Sequence, residues 1–211
     1  MDKFCLIVSG GAFAPLPEDL PPPDLVVACD KGWEYAARLN LTPDLIVGDF
    51  DSAAAPRTDA PIERLPTRKD DTDTMYAMRR AFELGCRRVA VCCAFGGRLD
   101  HTLANIQTAA WLVAQGGEAQ LLGADERAFV FTAAKKAFPR REGRSLSLFA
   151  LSDTCEGVSL RGTKFDCADV TLAASFPLGV SNVWTAETAE VAVERGILMV
   201  MQSKLQKGEH I

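Results

Sequence analysis

The stretch Leu45-Ile46-Val47-Gly48-Asp49-Phe50-Asp51-Ser52 joins a short apolar run to two carboxylates. Such a run fits a strand buried on both faces, as in a parallel sheet covered by helices. In extended backbone, residues i and i+2 point the same way. Asp49 and Asp51 are therefore expected to converge beyond the strand's carboxyl end. Two anions brought together need a cation between them. Mg²⁺ fits, because it takes oxygen ligands and usually shares them with substrate phosphates. The competing reading is a turn carrying two solvated acids. What separates the two is whether similar motifs recur at equivalent places.

They do recur. Leu25-Val26-Val27-Ala28-Cys29 ends at Asp30-Lys31-Gly32, and Val89-Ala90-Val91-Cys92-Cys93-Ala94 ends at Gly96-Gly97. A first strand, Phe4-Cys5-Leu6-Ile7-Val8, ends at Ser9-Gly10-Gly11. One helical pattern starts near Asp73, with Met75, Met78 and Phe82 at apolar spacing, and stops at Gly85. A second starts near His101, with Leu103, Ile106, Ala110 and Val113 on one face, and stops at Gly116-Gly117. Glycine after a helix supplies the left-handed cap. The alternation predicts an α/β domain with a mostly parallel sheet over residues 1–133. Ligands of such a sheet bind beyond the carboxyl ends of its strands.

The pattern changes after residue 133. Residues 134–144 are basic and contain a proline, and read as a solvated linker. Short alternating runs follow: Ser145-Leu146-Ser147-Leu148-Phe149, Ala168-Asp169-Val170-Thr171-Leu172 and Ala189-Glu190-Val191-Ala192-Val193. Turn signals separate them. An all-β sandwich over residues 134–211 is expected.

Composition narrows the classes. A net charge of −5 argues against nucleic-acid binding, which needs a basic face. No apolar run approaches the roughly 20 residues that span a membrane, and residues 1–10 lack the order of a signal peptide. Seven cysteines without a C-x-x-C pair read as reduced, mostly buried thiols of a cytoplasmic protein.

The remaining motifs carry chemistry. In Lys69-Asp70-Asp71-Thr72-Asp73, Asp70 and Asp73 are three apart at a helix start, placed to share a ligand or to cap the helix. Gly96-Gly97-Arg98 lets backbone approach a ligand closely, with a guanidinium suited to phosphate. Asp100 is a candidate N-cap, and His101 either touches a ligand or is a hydrogen-bonded structural residue. No G-x-x-x-x-G-K-[ST] and no G-x-G-x-x-G after the first strand is present. In Gly179-Val180-Ser181-Asn182-Val183-Trp184, Ser181 and Asn182 suit the polar edge of a heteroaromatic ring. Trp184 suits its face, or alternatively the core.

Together these motifs resemble the thiamine pyrophosphokinase family, in order and over nearly the whole chain. The carriers are Ala28-Cys29-Asp30-Lys31-Gly32, residues 44–52, Lys69-Asp70-Asp71-Thr72-Asp73, Gly96-Gly97-Arg98-Leu99-Asp100-His101-Thr102-Leu103-Ala104-Asn105, and Gly179-Val180-Ser181-Asn182. Lys31 departs from the pattern, since many members have a second glycine there. Trp184 stands where members vary.

The resemblance implies an α/β nucleotide domain, a β-sandwich, and a homodimer with thiamine bound between domains of opposite subunits. It implies pyrophosphoryl transfer from ATP to the thiamine hydroxyl, giving AMP and thiamine diphosphate. Asp49, Asp51, Asp70 and Asp73 would hold Mg²⁺, with Asp51 or Asp73 a candidate base. Arg98 would stabilise phosphate charge. Asp30, Gly32, Gly97, Arg98, Asp100, His101 and Asn105 would form the nucleotide site, and Ser181, Asn182 and Trp184 the thiamine site. A Mg²⁺-dependent phosphohydrolase and a non-catalytic nucleotide sensor are the competing functions.

Overall fold

The computed structural model describes residues 3–50, 58–66 and 71–206. The chain forms two compact units, Met1–Ala124 and Asp125–Ile211. Asp51, Asp70 and His210 lie outside the described residues.

The first unit is α/β. It contains β1 (Lys3–Val8), β2 (Leu25–Cys29), α1 (Gly32–Arg38), β3 (Leu45–Gly48), β4 (Ile62–Arg64), α2 (Asp73–Glu83), β5 (Cys86–Cys92), α3 (Leu99–Ala114) and β6 (Glu118–Leu122). Its strands lie in the order β4-β3-β2-β1-β5-β6, and every pairing is parallel. The apolar runs explain this. Leu6, Ile7, Val8, Val27, Ala28, Val47, Ala90 and Val91 are all fully excluded from solvent, as strands covered on both faces require. At the amino ends, carboxylates pin the strands. Asp24 Oδ2 accepts from the Phe4 N–H and Asp44 Oδ2 from the Val26 N–H, each at 2.8 Å.

The order has a consequence for function. From β1 the chain builds outward to β4, then returns to add β5 and β6 on the other side. The reversal falls between β1 and β5, and an open sheet binds its ligand in the crevice at that reversal.

The helices follow their sequence signals with one correction. In α2, Thr74, Ala77, Met78 and Ala81 are buried, and Phe82 meets Trp111 of α3 edge-on at 5.7 Å. In α3 the buried face is Asn105, Thr108, Ala109, Leu112 and Val113. Leu99 and Leu103 are exposed, so the expected stripe through Leu103 is rotated. A polar residue, Asn105, occupies the inward position because it has a partner there, described below.

The second unit contains β7 (Glu126–Phe131), β8 (Ala134–Pro139), β9 (Arg144–Ala150), β10 (Thr154–Arg161), β11 (Cys167–Ala173), β12 (Gly179–Asn182), β13 (Thr188–Val193) and β14 (Leu198–Lys204). It has no helix among the described residues. The strands β12-β9-β14-β7 and β11-β10-β13-β8 form two antiparallel sets. One core draws on both, including Phe131, Leu146 and Leu198 from the first and Phe138, Val158 and Val191 from the second.

Residues 134–139 are therefore not a linker. β8 pairs with β13 from Ala134↔Val193 to Pro139↔Thr188. Phe138 enters the core at 3 % exposure, while Lys135 points out to Glu190 at 3.0 Å. Lys135 lies on the outer face of a half-buried strand, while Lys136, on the inner side with Phe138, holds its ammonium over the Phe131 ring at 5.3 Å. The unit also begins ahead of residue 133, because β7 pairs along its length with β14.

Candidate active site

A cleft of about 600 Å³ opens at the carboxyl ends of the parallel strands of the first unit. Ser9, Gly10 and Gly11 line it after β1, Cys29 at the end of β2 with Asp30 after it, Asp49 after β3, and Ala94, Gly96 and Gly97 after β5. Asp73 and Thr74 enter from the start of α2, and Arg98, His101 and Asn105 from the start of α3. The described residues of the acidic and glycine-rich motifs of the first unit thus share one rim, at the reversal of strand order.

The strand ends are sharply bent. Asp30, Phe50 and Cys93 directly follow β2, the Gly48-Asp49 step and β5, with φ of 44°, 53° and 54°. Side-chain-bearing residues rarely adopt this conformation, and it concentrates at ligand sites. For Phe50 it corrects an expectation. The backbone is not extended at residue 50, so the strand geometry on which the expectation rested stops before it, and Asp51 itself lies outside the described residues. Close approach explains two glycines. A Cβ on Gly48 would lie 2.1 Å from Asp30 Oδ1, and one on Gly32 would lie 2.0 Å from the Val8 carbonyl oxygen. Gly32 thus seats α1 against β1 and is not a lining residue of the cleft.

The start of α2 is set by Thr72, whose Oγ1 accepts from the Met75 N–H at 3.1 Å. Thr72 is the cap and α2 begins at Asp73; Asp70, expected beside it at the helix start, lies outside the described residues. Asp73 is the first helical residue and faces the cleft. Asp71 also lines the cleft and is ion-paired to Arg79. Behind the rim, Ser9 Oγ and Thr74 Oγ1 share a buried hydrogen bond of 3.1 Å. This pair fastens α2 to the end of β1, and the sequence reading did not single out Thr74. Its signal was faint: a threonine on the helix's inner face, where an apolar residue would be ordinary.

Arg98 and Asp100 form an exposed ion pair, with Nε–Oδ1 at 3.1 Å and Nη2–Oδ2 at 2.5 Å. Hydrogen bonding to Arg98 holds the Asp100 carboxyl below its usual range, and the same bond raises the guanidinium. Asp100 sits in the first turn of α3 and is not its N-cap. Its Oδ1 accepts from the His101 N–H at 2.9 Å. Asn105, buried at 5 %, donates Nδ2–H to the Ala94 carbonyl at 2.8 Å. It anchors the glycine loop from within α3.

The carboxylates of Asp30, Asp49 and Asp73 offer hard oxygen donors within one cleft. Among the described residues no three acids, histidines or cysteines are close enough to form a metal site by themselves. Carboxylate oxygens are the donor type that suits Mg²⁺, which usually keeps waters and shares substrate phosphates.

In the second unit the turn at residues 179–184 differs from expectation. Asn182 is 5 % exposed, and its amide is fully engaged. Oδ1 accepts from the Phe165 and Val183 N–H groups, and Nδ2 donates to Thr163 Oγ1 and the Phe165 carbonyl. Asn182 therefore holds the loop after β10. Trp184 lies in the core, its Nε1–H donated to the Phe138 carbonyl at 2.9 Å. The core reading holds for its ring, in place of stacking at an open surface. Ser181 stays exposed, with φ 61° and its N–H donated to Ser147 Oγ.

Comparison with known proteins now bears on this arrangement. Residues 20–121 match the model of the thiamin pyrophosphokinase catalytic domain, and residues 135–198 that of the thiamin pyrophosphokinase vitamin B1 binding domain. Solved structures share the fold. Thiamine pyrophosphokinase from Bacillus subtilis aligns with a TM-score of 0.84 at 23 % identity, covering 97 % of this chain and 100 % of that one. A thiamin pyrophosphokinase family protein from Enterococcus faecalis gives 0.74 at 26 % identity, with coverage of 97 % and 100 %. The Candida albicans enzyme gives 0.74 at 16 %, with coverage of 96 % and 90 %. A comparison with curated proteins gives no match. With both family domains matched in order across most of its length, the chain belongs to the thiamin pyrophosphokinase family.

Proposed function

We propose that the cleft of the first unit binds ATP with Mg²⁺ and that the exposed turn around Ser181 contacts thiamine. The reaction is that of the family: the thiamine hydroxyl takes the pyrophosphoryl group of ATP, yielding thiamine diphosphate and AMP. The observation that carries the site assignment is the gathering of Asp30, Asp49, Asp73 and the Gly96-Gly97-Arg98 loop at the reversal of strand order.

Such transfer depends on positioning and charge neutralisation more than on covalent help. When bound, Mg²⁺ would neutralise and polarise phosphate oxygens. Asp49 and Asp73, with Asp51 and Asp70, are the residues proposed to hold it. Gly96 and Gly97, at φ 80° and 71°, let their backbone approach phosphate without a side chain between. Arg98 exchanges Asp100 for phosphate, and because the pair is fully exposed, little is lost in the exchange. The hydroxyl proton passes to a carboxylate of the same rim, with Asp51 and Asp73 as candidates. Asn105 acts through the Ala94 carbonyl as a positioning residue. In the second unit, Ser181 supplies the polar contact to thiamine, while Asn182 shapes the loop beside it.

The assembly is proposed to be a homodimer, with the two antiparallel strand sets as layers of a sandwich. Each protomer's second unit would serve its partner's cleft. The support is the family resemblance, since the expected linker at residues 134–139 is strand β8. A cytoplasmic location accords with seven cysteines that form no disulfide. No helix among the described residues is long and apolar enough to cross a membrane.

Asp49→Asn and Asp73→Asn test the metal assignment. Each is expected to abolish turnover at millimolar Mg²⁺ while melting with the wild type. Near-normal activity in both variants would overturn the assignment.

A further inference from the structure

Among the described residues, two cationic side chains line the cleft, Lys31 and Arg98. They come from different loops, β2–α1 and β5–α3. Arg98 is engaged by Asp100. Lys31 is exposed, and its ammonium makes no ion pair among the described residues. Its contact is a cation–π approach of 5.3 Å to the ring of Tyr35, one turn along α1. Tyr35 is buried, and its ring meets Phe13 edge-on at 5.4 Å. The lysine therefore leans on a fixed aromatic surface while its charge stays available.

The position of Lys31 is otherwise unfavourable. It directly precedes α1, caps no backbone N–H with its side chain, and puts a cation at the positive end of the helix dipole. Ser, Thr, Asp and Asn are the usual residues at such a place. A residue that breaks a local rule without a local gain points to a functional reason. The cleft supplies one. Lys31 shares the cleft lining with Asp30, Asp49 and Asp73, and a polyphosphate entering with a divalent cation would meet its ammonium there.

From this placement we infer that Lys31 is a specificity-determining residue that grips the phosphate chain of the nucleotide opposite the Arg98 loop. This rests on reading the cleft as the MgATP site. Its ammonium donates to phosphate oxygens from the β2–α1 loop, and the number of phosphates present sets how much it contributes. Nucleotides with longer phosphate chains thereby gain more from Lys31 than AMP does, which favours release of AMP as a product.

Calorimetry with MgATP, and separately with AMP, in the absence of thiamine tests this on wild type, Lys31→Ala and Lys31→Arg. Lys31→Ala is expected to weaken MgATP roughly tenfold or more, as for loss of a charge-assisted hydrogen bond, and AMP by much less. Lys31→Arg is expected to restore most of the loss. Lys31→Ala should melt with the wild type and keep its KM for thiamine. Binding of MgATP by Lys31→Ala within twofold of wild type would overturn the inference, as would equal weakening of AMP and MgATP. Wild-type protein that does not bind MgATP would overturn the reading of the cleft itself, and the inference with it.

Discussion

At the scale of single residues, hydrogen-bond inventories separate ligand contacts from scaffolding. Asn182 spends both amide atoms on the Thr163–Phe165 loop and on the neighbouring Val183 N–H. Asn182→Ala leaves those groups short of partners and is expected to lower stability by about 2 kcal/mol, read as a shift in the denaturation midpoint. Among the described residues the Ser181 side chain has no such commitments. Ser181→Ala is expected to raise the KM for thiamine several-fold, leaving the KM for ATP and the melting temperature unchanged. Equal weakening for both substrates would place the turn elsewhere in the mechanism. Nothing in the sequence distinguished the two residues. Both are small, polar and adjacent, and the partners that separate them lie far away in the chain. The same holds for Trp184, whose indole partner is at residue 138.

At the scale of elements, the first unit was the more legible. Apolar runs buried on both faces need no partner strand to be recognised, so β1, β2, β3 and β5 stand out in the sequence together with the acidic or glycine-rich loops after them. The cleft was legible for the same reason, since it is the set of those loops. The second unit was harder. Half-buried antiparallel strands show their inner residues only at alternate positions, and in β8 the visible charges of Lys135 and Lys136 concealed Phe138. The start of α2 followed its cap, whereas α1 and α3 begin without a side-chain cap. Thr72→Ala removes the Oγ1 acceptor of the Met75 N–H and is expected to destabilise the protein by about 1 kcal/mol. Because Asp73 directly follows, it should also weaken the apparent Mg²⁺ requirement's midpoint by a few-fold. An unchanged denaturation midpoint would show that α2 is held by the Ser9–Thr74 contact and packing, with its cap dispensable.

At the scale of the whole molecule, the proposed function divides the work of the family reaction between the two units, assigning phosphates to the cleft of one and thiamine to the exposed polar turn of the other. The shared-site dimer predicts sedimentation as a dimer at micromolar concentration, with specific activity falling on dilution below the dissociation range. A fully active monomer would contradict it. The central claim is the reaction itself. Protein incubated with MgATP, with and without thiamine, and analysed by phosphorus NMR should yield AMP and thiamine diphosphate in equal amounts when thiamine is present, and neither without it. Release of ADP or phosphate without thiamine would indicate a phosphohydrolase, and binding of ATP without turnover in either condition a sensor, and each of those results would contradict the account.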